Sequence, residues 1–461
     1  MGRVRRLIVA GAGPQFWAQY ATVLEKTRAS TTLALVVDME SQEFAIRLAL
    51  AQHQLTPQLL LLPEAWRINV PQQELEARLD TLQKTVSADA IAICTEPKAH
   101  MAFALWACAR GLAIFMNKPI SAFTAFQQRH LLLSDYSRLN GLQEQSKSRI
   151  VIACERRLHS GYEYFFSFIS NFMIKYRAPI TSVSVHFGCG NFVMQPEYEG
   201  KDNHPFKYGY GVLLHSGYHY IDLVARTAGM NWLLDEQHAG RSPIVRTLFS
   251  RALSTMAPLD VDHCYYEDTS HGHEPPKFRA IPSRSSELGE VDVLAAGYYP
   301  GATPLLFSMQ LLGNTVSARQ EFHVADGTIN PNRVRQENVS VHLGNWCSLH
   351  VTSYDWYKLD PGFEGTDFAV TVALNPIIAK GPAVQVIDRL GLHERFADCP
   401  PFGSLNKWYG QMIFAKFIDG SDCNSSLRSH RDTVVLLQEL YSTAEDIRTE
   451  GGREGPLGSA S

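Results

Sequence analysis

RLIVAGAGPQFWAQYATVLEK, residues 6–26, decides how the chain is read. Arg6 to Ala10 is a short apolar run, Gly11-Ala12-Gly13 breaks it, and a helix-permissive segment runs from Phe16 to Lys26. A second apolar run, Thr32 to Val37, closes on Asp38, and Glu43 to His53 again reads as a helix. Strand, tight turn, helix and strand in this order is the βαβ unit of a parallel sheet. In a dinucleotide-binding turn the first glycine permits the bend and the second lets a pyrophosphate approach the helix N-terminus. An acidic residue ending the second strand then bonds the ribose hydroxyls. Gly11, Gly13 and Asp38 fit those roles, whereas Phe16 occupies the place of the usual third glycine. An ordinary β-to-α turn would look much the same, so this turn alone leaves the nucleotide reading open. Asp38, with Glu40 nearby and no arginine beside it in sequence, would repel a 2′-phosphate, which favours NAD while leaving NADP possible.

Bulk properties narrow the class. A chain of 461 residues exceeds one ordinary core, so two domains are expected. Lys and Arg total 42 against 46 Asp and Glu, a formal charge of -4, which offers no basic excess for nucleic acid. The 8 cysteines are scattered without a C-x-x-C pair, pointing to free thiols in a reducing, cytoplasmic setting. The opening MGRVRRLIVA resembles a secretion signal only in its arginines, because its apolar run ends after a few residues. No stretch of the sequence reaches membrane-spanning length, and a soluble protein without membrane association is expected.

Further along, ADAIAICTEPKAHMAFALWACARGLAIFMNKPIS, residues 88–121, repeats the alternation. Ala90 to Cys94 reads as a buried strand, His100 to Arg110 as a helix stopped by Gly111, and Leu112 to Met116 as a strand ending in Asn117-Lys118-Pro119. A lysine at the C-terminal end of a parallel strand stands where open α/β sheets bind their ligands.

Three segments in this order, GAGPQF, TEPKAH and NKP, together with Gly209 to Asp222, resemble the Gfo/Idh/MocA family of NAD(P)-dependent oxidoreductases. The family's second-domain pattern G-G-x-L-x-D-x-G-x-H-x-x-D falls on GYGVLLHSGYHYID. The resemblance implies a Rossmann domain of doubly wound parallel sheet over residues 1–150. A substrate-binding and oligomerisation α+β domain with a largely antiparallel open sheet would follow over 151–448. It places a cofactor along Gly11, Gly13, Pro14, Gln15, Phe16, Asp38, Thr95, Pro97, His100, Asn117 and Lys118, and a sugar-like substrate against Arg157, His215, Tyr218 and His219. Lys118 would bond the reacting hydroxyl and His219 would take its proton. His215 stands where the family carries Asp, and Asn117 where it carries Glu. His215 is expected to be neutral and to orient substrate or relay a proton. A homo-oligomer, dimer or tetramer, is implied by the resemblance only.

His215 and His219 lie four apart, which allows core packing, two legs of a zinc site, or acid–base chemistry. A metal needs further ligands, and the run from Asp260 to Glu274 that could donate them is rich in Pro and Ser, so chemistry is favoured and no metal is expected. Apolar runs at Arg149–Cys154, Ile180–Phe187, Val291–Tyr299, Leu305–Leu312, Val339–Leu343, Leu349–Tyr354 and Phe368–Ala373 read as strands, and Tyr162–Tyr176 as a Phe-rich helix. Residues 232–288 read as an insertion, and 449–461 as a disordered tail. The expected activity is NAD-dependent hydride transfer to or from a secondary alcohol of a sugar, polyol or related cyclic metabolite. An NAD-using glycosidase of the same fold, or a non-catalytic nucleotide-binding sensor, are the alternatives.

Overall fold

The computed structural model describes residues 3–67, 69–189, 206–234, 242–250, 289–313, 322–324, 327–329, 333–357, 364–379 and 381–446. Its first layer is a six-stranded sheet of β1 (Arg6–Ala10), β2 (Thr32–Met39), β3 (Gln58–Leu62), β4 (Ala90–Ile93), β5 (Ala113–Asn117) and β6 (Ile150–Ala153). These lie in the order β3-β2-β1-β4-β5-β6, every pair parallel. Unbroken runs such as AIAI in β4, buried at all four positions, are what a sheet covered on both faces requires. The order reverses between β1 and β4, and the crevice at that switch point is where such sheets hold ligands.

Both faces are covered. On one lie α1 (Pro14–Thr27) and α2 (Glu43–Gln52), joined in the same apolar cluster by Ile413, Phe414, Phe417 and Ile418 of a helix much later in the chain. On the other lie α3 (Gln72–Val86), α4 (Pro97–Ala109) and α5 (Leu131–Ser146). Strand β6 and the late helix show that residues beyond 150 complete this first layer, and a division at 150 falls at the start of β6.

The second sheet has nine strands in the order β16-β15-β14-β13-β7-β10-β9-β8-β17. Its members are β7 (Ser182–Gly188), β8 (Ile244–Ser250), β9 (Asp292–Tyr299), β10 (Leu305–Leu312), β13 (Arg333–Leu343), β14 (Cys347–Tyr357), β15 (Glu364–Leu374), β16 (Val384–Asp388) and β17 (Ala444–Asp446). A separate two-stranded ribbon, β11 (Phe322–Val324) with β12 (Gly327–Ile329), intervenes. The large sheet is antiparallel except where β7 meets β10 and β8 meets β17. One face packs on α6 (Ser160–Tyr176), α7 (Tyr218–Met230), α8 (Arg389–Arg395) and α10 (Arg431–Ser442), while α9 (Leu405–Asp419) is the late helix that crosses to the first sheet. Among the described residues the other face is open: β10 alternates buried and outward positions, as a half-solvated antiparallel strand does.

Within the span expected to be an insertion, Ile244–Ser250 instead builds β8 into the sheet, because its alternating Val245, Thr247 and Phe249 bury against the core. Residues 235–241 and 251–288, including the Asp260 to Glu274 run, and the 449–461 tail lie outside the described residues. No helix of the described residues is long and apolar enough to cross a membrane.

Candidate active site

Gly11 has φ +85°, and a Cβ there would stand 2.4 Å from Thr95 N, so backbone conformation and the passing β4 turn both demand glycine. Gly13, just before α1, has nothing within 4 Å of where a Cβ would sit, leaving an open approach to the helix N-terminus. Pro14 opens the helix, where its missing N–H costs nothing. Phe16 does not face that opening. It is 1% exposed and sits edge-on to Trp17 and Tyr20 in the cluster that includes Val9 and Phe115, so helix and strand are spaced by a ring where a glycine would let them touch.

Asp38 ends the buried part of β2 and locks the turn: Ala12 N donates to its Oδ2 at 2.7 Å and Met39 N to its Oδ1 at 2.8 Å. Burial raises its pKa, opposed by these two donors and by Arg67. Arg67 is distant in sequence, and the fold brings it into this field, where it bonds Ser41 and Glu64. Asp38 and Glu64 against one arginine keep the local balance negative, the balance that disfavours a 2′-phosphate.

His100, completely buried, bridges two turns: its Nε2 is 3.0 Å from Thr95 O and its Nδ1 2.8 Å from Pro119 O. Burial outweighs the pull of the two carbonyls and pushes its pKa down to about 4. A neutral ring donates to only one carbonyl at a time. Expected to touch a cofactor, His100 instead ties the β4 turn to the end of β5, which sets the position of Lys118. Asn117 accepts from Tyr20 Oη at 3.2 Å. Thr95 and Pro97 flank the β4 turn, Pro97 opening α4.

Lys118 leaves β5 as a half-buried residue whose Nζ donates to the His215 carbonyl at 2.6 Å. Burial lowers its pKa to about 8, with Glu155 and Cys154 opposing and Arg335 and Arg156 assisting. His219, 4% exposed in the first turn of α7, has its Nε2 3.3 Å from Glu155 Oε1 and its Nδ1 3.5 Å from Cys154 Sγ. Burial lowers its pKa despite Glu155, so the imidazole is neutral at pH 7. Burial would raise the Glu155 pKa, yet His219, Lys118 and Arg156 outweigh it and hold it at about 2. Gly217 shapes this turn, since a Cβ there would meet Val212 O at 2.6 Å.

Lys118, His219 and the His215 backbone are thus brought together. Arg157 and Tyr218 are not. Arg157 is turned inward, its Nη2 and Nε on the two carboxylate oxygens of Asp222 at 2.6 and 3.0 Å and its remaining donors on Asn424, Ser429 and the Ser429 carbonyl. Every donor is used, leaving no group for substrate. Tyr218 is fully buried with its hydroxyl 3.1 Å from His430 Nδ1, facing the core. Ser425, His430 and Asp222 lie in hydrolase-like order, with Ser425 Oγ 3.0 Å from His430 Nε2 and His430 Nδ1 3.6 Å from Asp222 Oδ1. All three are completely buried and the serine donates to Ile152 O, so this is a packing network. Among the described residues no group of three or more His, Cys, Asp or Glu could hold a metal ion.

Sequence reading passed over Glu155 as a site residue. The signal was present: it follows a parallel strand at the same sheet end that singled out Lys118.

Solved structures similar over nearly the whole chain include WlbA dehydrogenase from Bordetella pertussis, in complex with NADH and UDP-GlcNAcA. It has a TM-score of 0.55 and 14% identity, covering 96% of this chain and 95% of that one. An inositol dehydrogenase homologue from Azotobacter vinelandii, complexed with NADH and myo-inositol, gives 0.53 at 12% identity over 96% and 95%. KijD10, a 3-ketoreductase from Actinomadura kijaniata with NADP and TDP-benzene, gives 0.54 at 11% over 96% and 98%. By name they are dehydrogenases and a ketoreductase, and at these identities the likeness is one of fold: the two-domain architecture that the motifs implied is borne out. No family model matches the chain, and no curated protein matches it by sequence.

Proposed function

We propose that the protein is an NAD-dependent oxidoreductase acting on a secondary alcohol, or the matching ketone, of a sugar, polyol or related cyclic metabolite. The observation that carries this reading is the meeting of Lys118 and His219 at the carboxyl end of the parallel sheet, beside the Gly11 to Gly13 turn. The nearby residues fit a dinucleotide: an open helix N-terminus at Gly13 for the pyrophosphate, and Asp38 for the ribose. When bound, the nicotinamide supplies the hydride acceptor. Neutral His219 takes the hydroxyl proton, and cationic Lys118 steadies the alkoxide that develops. The burial of both side chains strengthens that attraction.

The neighbours' sugar-like ligands support this substrate class. Homo-oligomerisation through the open sheet face belongs to the same reading. Leu306, Tyr298 and Ile244 form one outward row across β10, β9 and β8, and Leu294 with Leu248 begins another. The test is absorbance of reduced nicotinamide after mixing NAD with a panel of sugars and polyols. At least one should give reduction that falls about 10²–10⁴-fold in His219→Gln. Bond cleavage of a glycoside with no net reduction would replace this reading with the glycosidase.

A further inference from the structure

Asn117, next to Lys118 in sequence, and His215, four residues before His219, carry no negative charge. The carboxylate facing Lys118 and His219 comes from another element. Asn117 of β5 pairs in register with Ala153 of β6, so the residues just beyond, Lys118 and Glu155, emerge side by side at one end of the sheet. Helix α7 brings His219 over them, with Nε2 3.3 Å from Glu155 Oε1. Glu155 has 18% of its side chain exposed against 5% for His219, so it is the more solvent-accessible member of the pair.

Resting on the dehydrogenase reading, we infer that Glu155 is the shared counterion of Lys118 and His219. It is a positioning residue that keeps the lysine cationic and the imidazole aligned while proton and hydride leave the substrate.

The charged and titratable groups around it are few enough to work out the sign. Glu155 faces Lys118 from β5, His219 from α7, Tyr20 from α1, and Cys154 and Arg156 on its own turn. Lys118 also feels Arg335 of β13 and lies near His100 of α4, and His219 lies near His430. Removing the carboxylate leaves the Lys118 ammonium and the Arg156 guanidinium with less compensation, while Arg335 still acts on Lys118. Both Lys118 and His219 then lose their protons at lower pH. For alcohol oxidation, neutral His219 sets the acid limb and charged Lys118 the alkaline limb. Glu155→Gln should therefore move both limbs the same way, to lower pH by about 1–3 pH units, because an opposite charge at this range shifts a titration by that amount. A merely structural carboxylate would lower the plateau without displacing either limb.

The test begins without substrate, on the full-length ligand-free protein. Its 15N-labelled histidines are titrated by NMR, and the His219 signal is identified by its loss in His219→Gln. Glu155→Gln should lower the His219 midpoint by about one pH unit or more. Glu155→Asp, which keeps the charge at shorter reach, should fall between, and serves if the amide variant does not fold. A midpoint that stays put or rises in either variant overturns the inference. The same variants are then run in the pH profile of kcat/KM on an oxidised alcohol. A protein that oxidises nothing yet shows the displaced midpoint keeps the counterion and loses the dehydrogenase. An active enzyme whose midpoint and limbs ignore residue 155 does the reverse.

Discussion

Glu155 and Arg157 stand two residues apart on the turn that follows β6, and each reaches a side chain of the same helix α7. Arg157 meets Asp222 in a forked ion pair further held by Thr433 and the Asn424 to Ser429 backbone, with both side chains at most 3% exposed. Glu155 meets His219 at 3.3 Å, keeps 18% of its side chain exposed, and has within its field a lysine amine whose pKa has fallen to about 8. The first cluster is closed around Arg157, whose every donor has an acceptor, and its work is to fix α7 against the 424–430 segment. The second is open, with its charges only partly compensated. The lesson is that burial and ionisable residues alone do not mark a site, whereas incomplete pairing beside a ligand crevice does.

The difference can be broken first where it is largest. Arg157→Met should destabilise the fold by about 3–5 kcal/mol in urea unfolding, because it strands the Asp222 carboxylate in the core. A loss below about 1 kcal/mol would mean the cluster is not a lock. Lys118→Met should lower turnover on the order of 10²–10³-fold, as loss of one preorganised oxyanion donor does, while NAD binding by fluorescence stays near wild type. Unfolding free energy should hold level or rise in that variant, the opposite of Arg157→Met.

A smaller effect lies in the pH dependence of stability. His100 titrates near 4 when folded and near 6.5 when unfolded, so the unfolded chain binds the extra proton between those values. Stability contributed by neutral His100 is present above pH 6.5 and is lost as pH falls toward 4, reaching about 3 kcal/mol. In His100→Asn the slope of unfolding free energy across that window should flatten; an unchanged slope would assign the proton to another group. The smallest effect concerns the cofactor. Asp38→Ala should shift the NAD to NADP affinity ratio about tenfold toward NADP, measured by competitive fluorescence titration. No shift would show that Glu64 alone carries the discrimination.

Much of the fold was legible because unbroken apolar runs and glycine turns are local signals. The runs at β1, β2, β4 and β5 fall where the parallel sheet has them, and Leu305 to Leu312 is β10 to the residue. Strand β8 was missed because its alternation sat among Ser, Pro and His residues that read as a loop. The motifs pointed to Lys118 and His219, and the fold places the two at the same end of the parallel sheet. Glu155 was legible only as a residue following a parallel strand at the ligand end of the sheet; its meeting with His219 depends on the register between β5 and β6 and on the path of α7, neither of which leaves a mark in one sequence. Arg157 and Tyr218 were misplaced for the related reason that a motif position fixes a backbone location, while partners such as Asp222 and His430 decide which way the side chain turns.

The most direct measurement follows hydrogen itself. A sugar or polyol deuterated at its carbinol carbon is incubated with NAD and the protein, and the nicotinamide is analysed by mass spectrometry. The account predicts one deuteron on each reduced nicotinamide from the wild type, and a rate at least about a hundredfold lower from Lys118→Met. Reduced nicotinamide without deuterium, or a Lys118→Met variant that transfers deuterium at the wild-type rate, would contradict it.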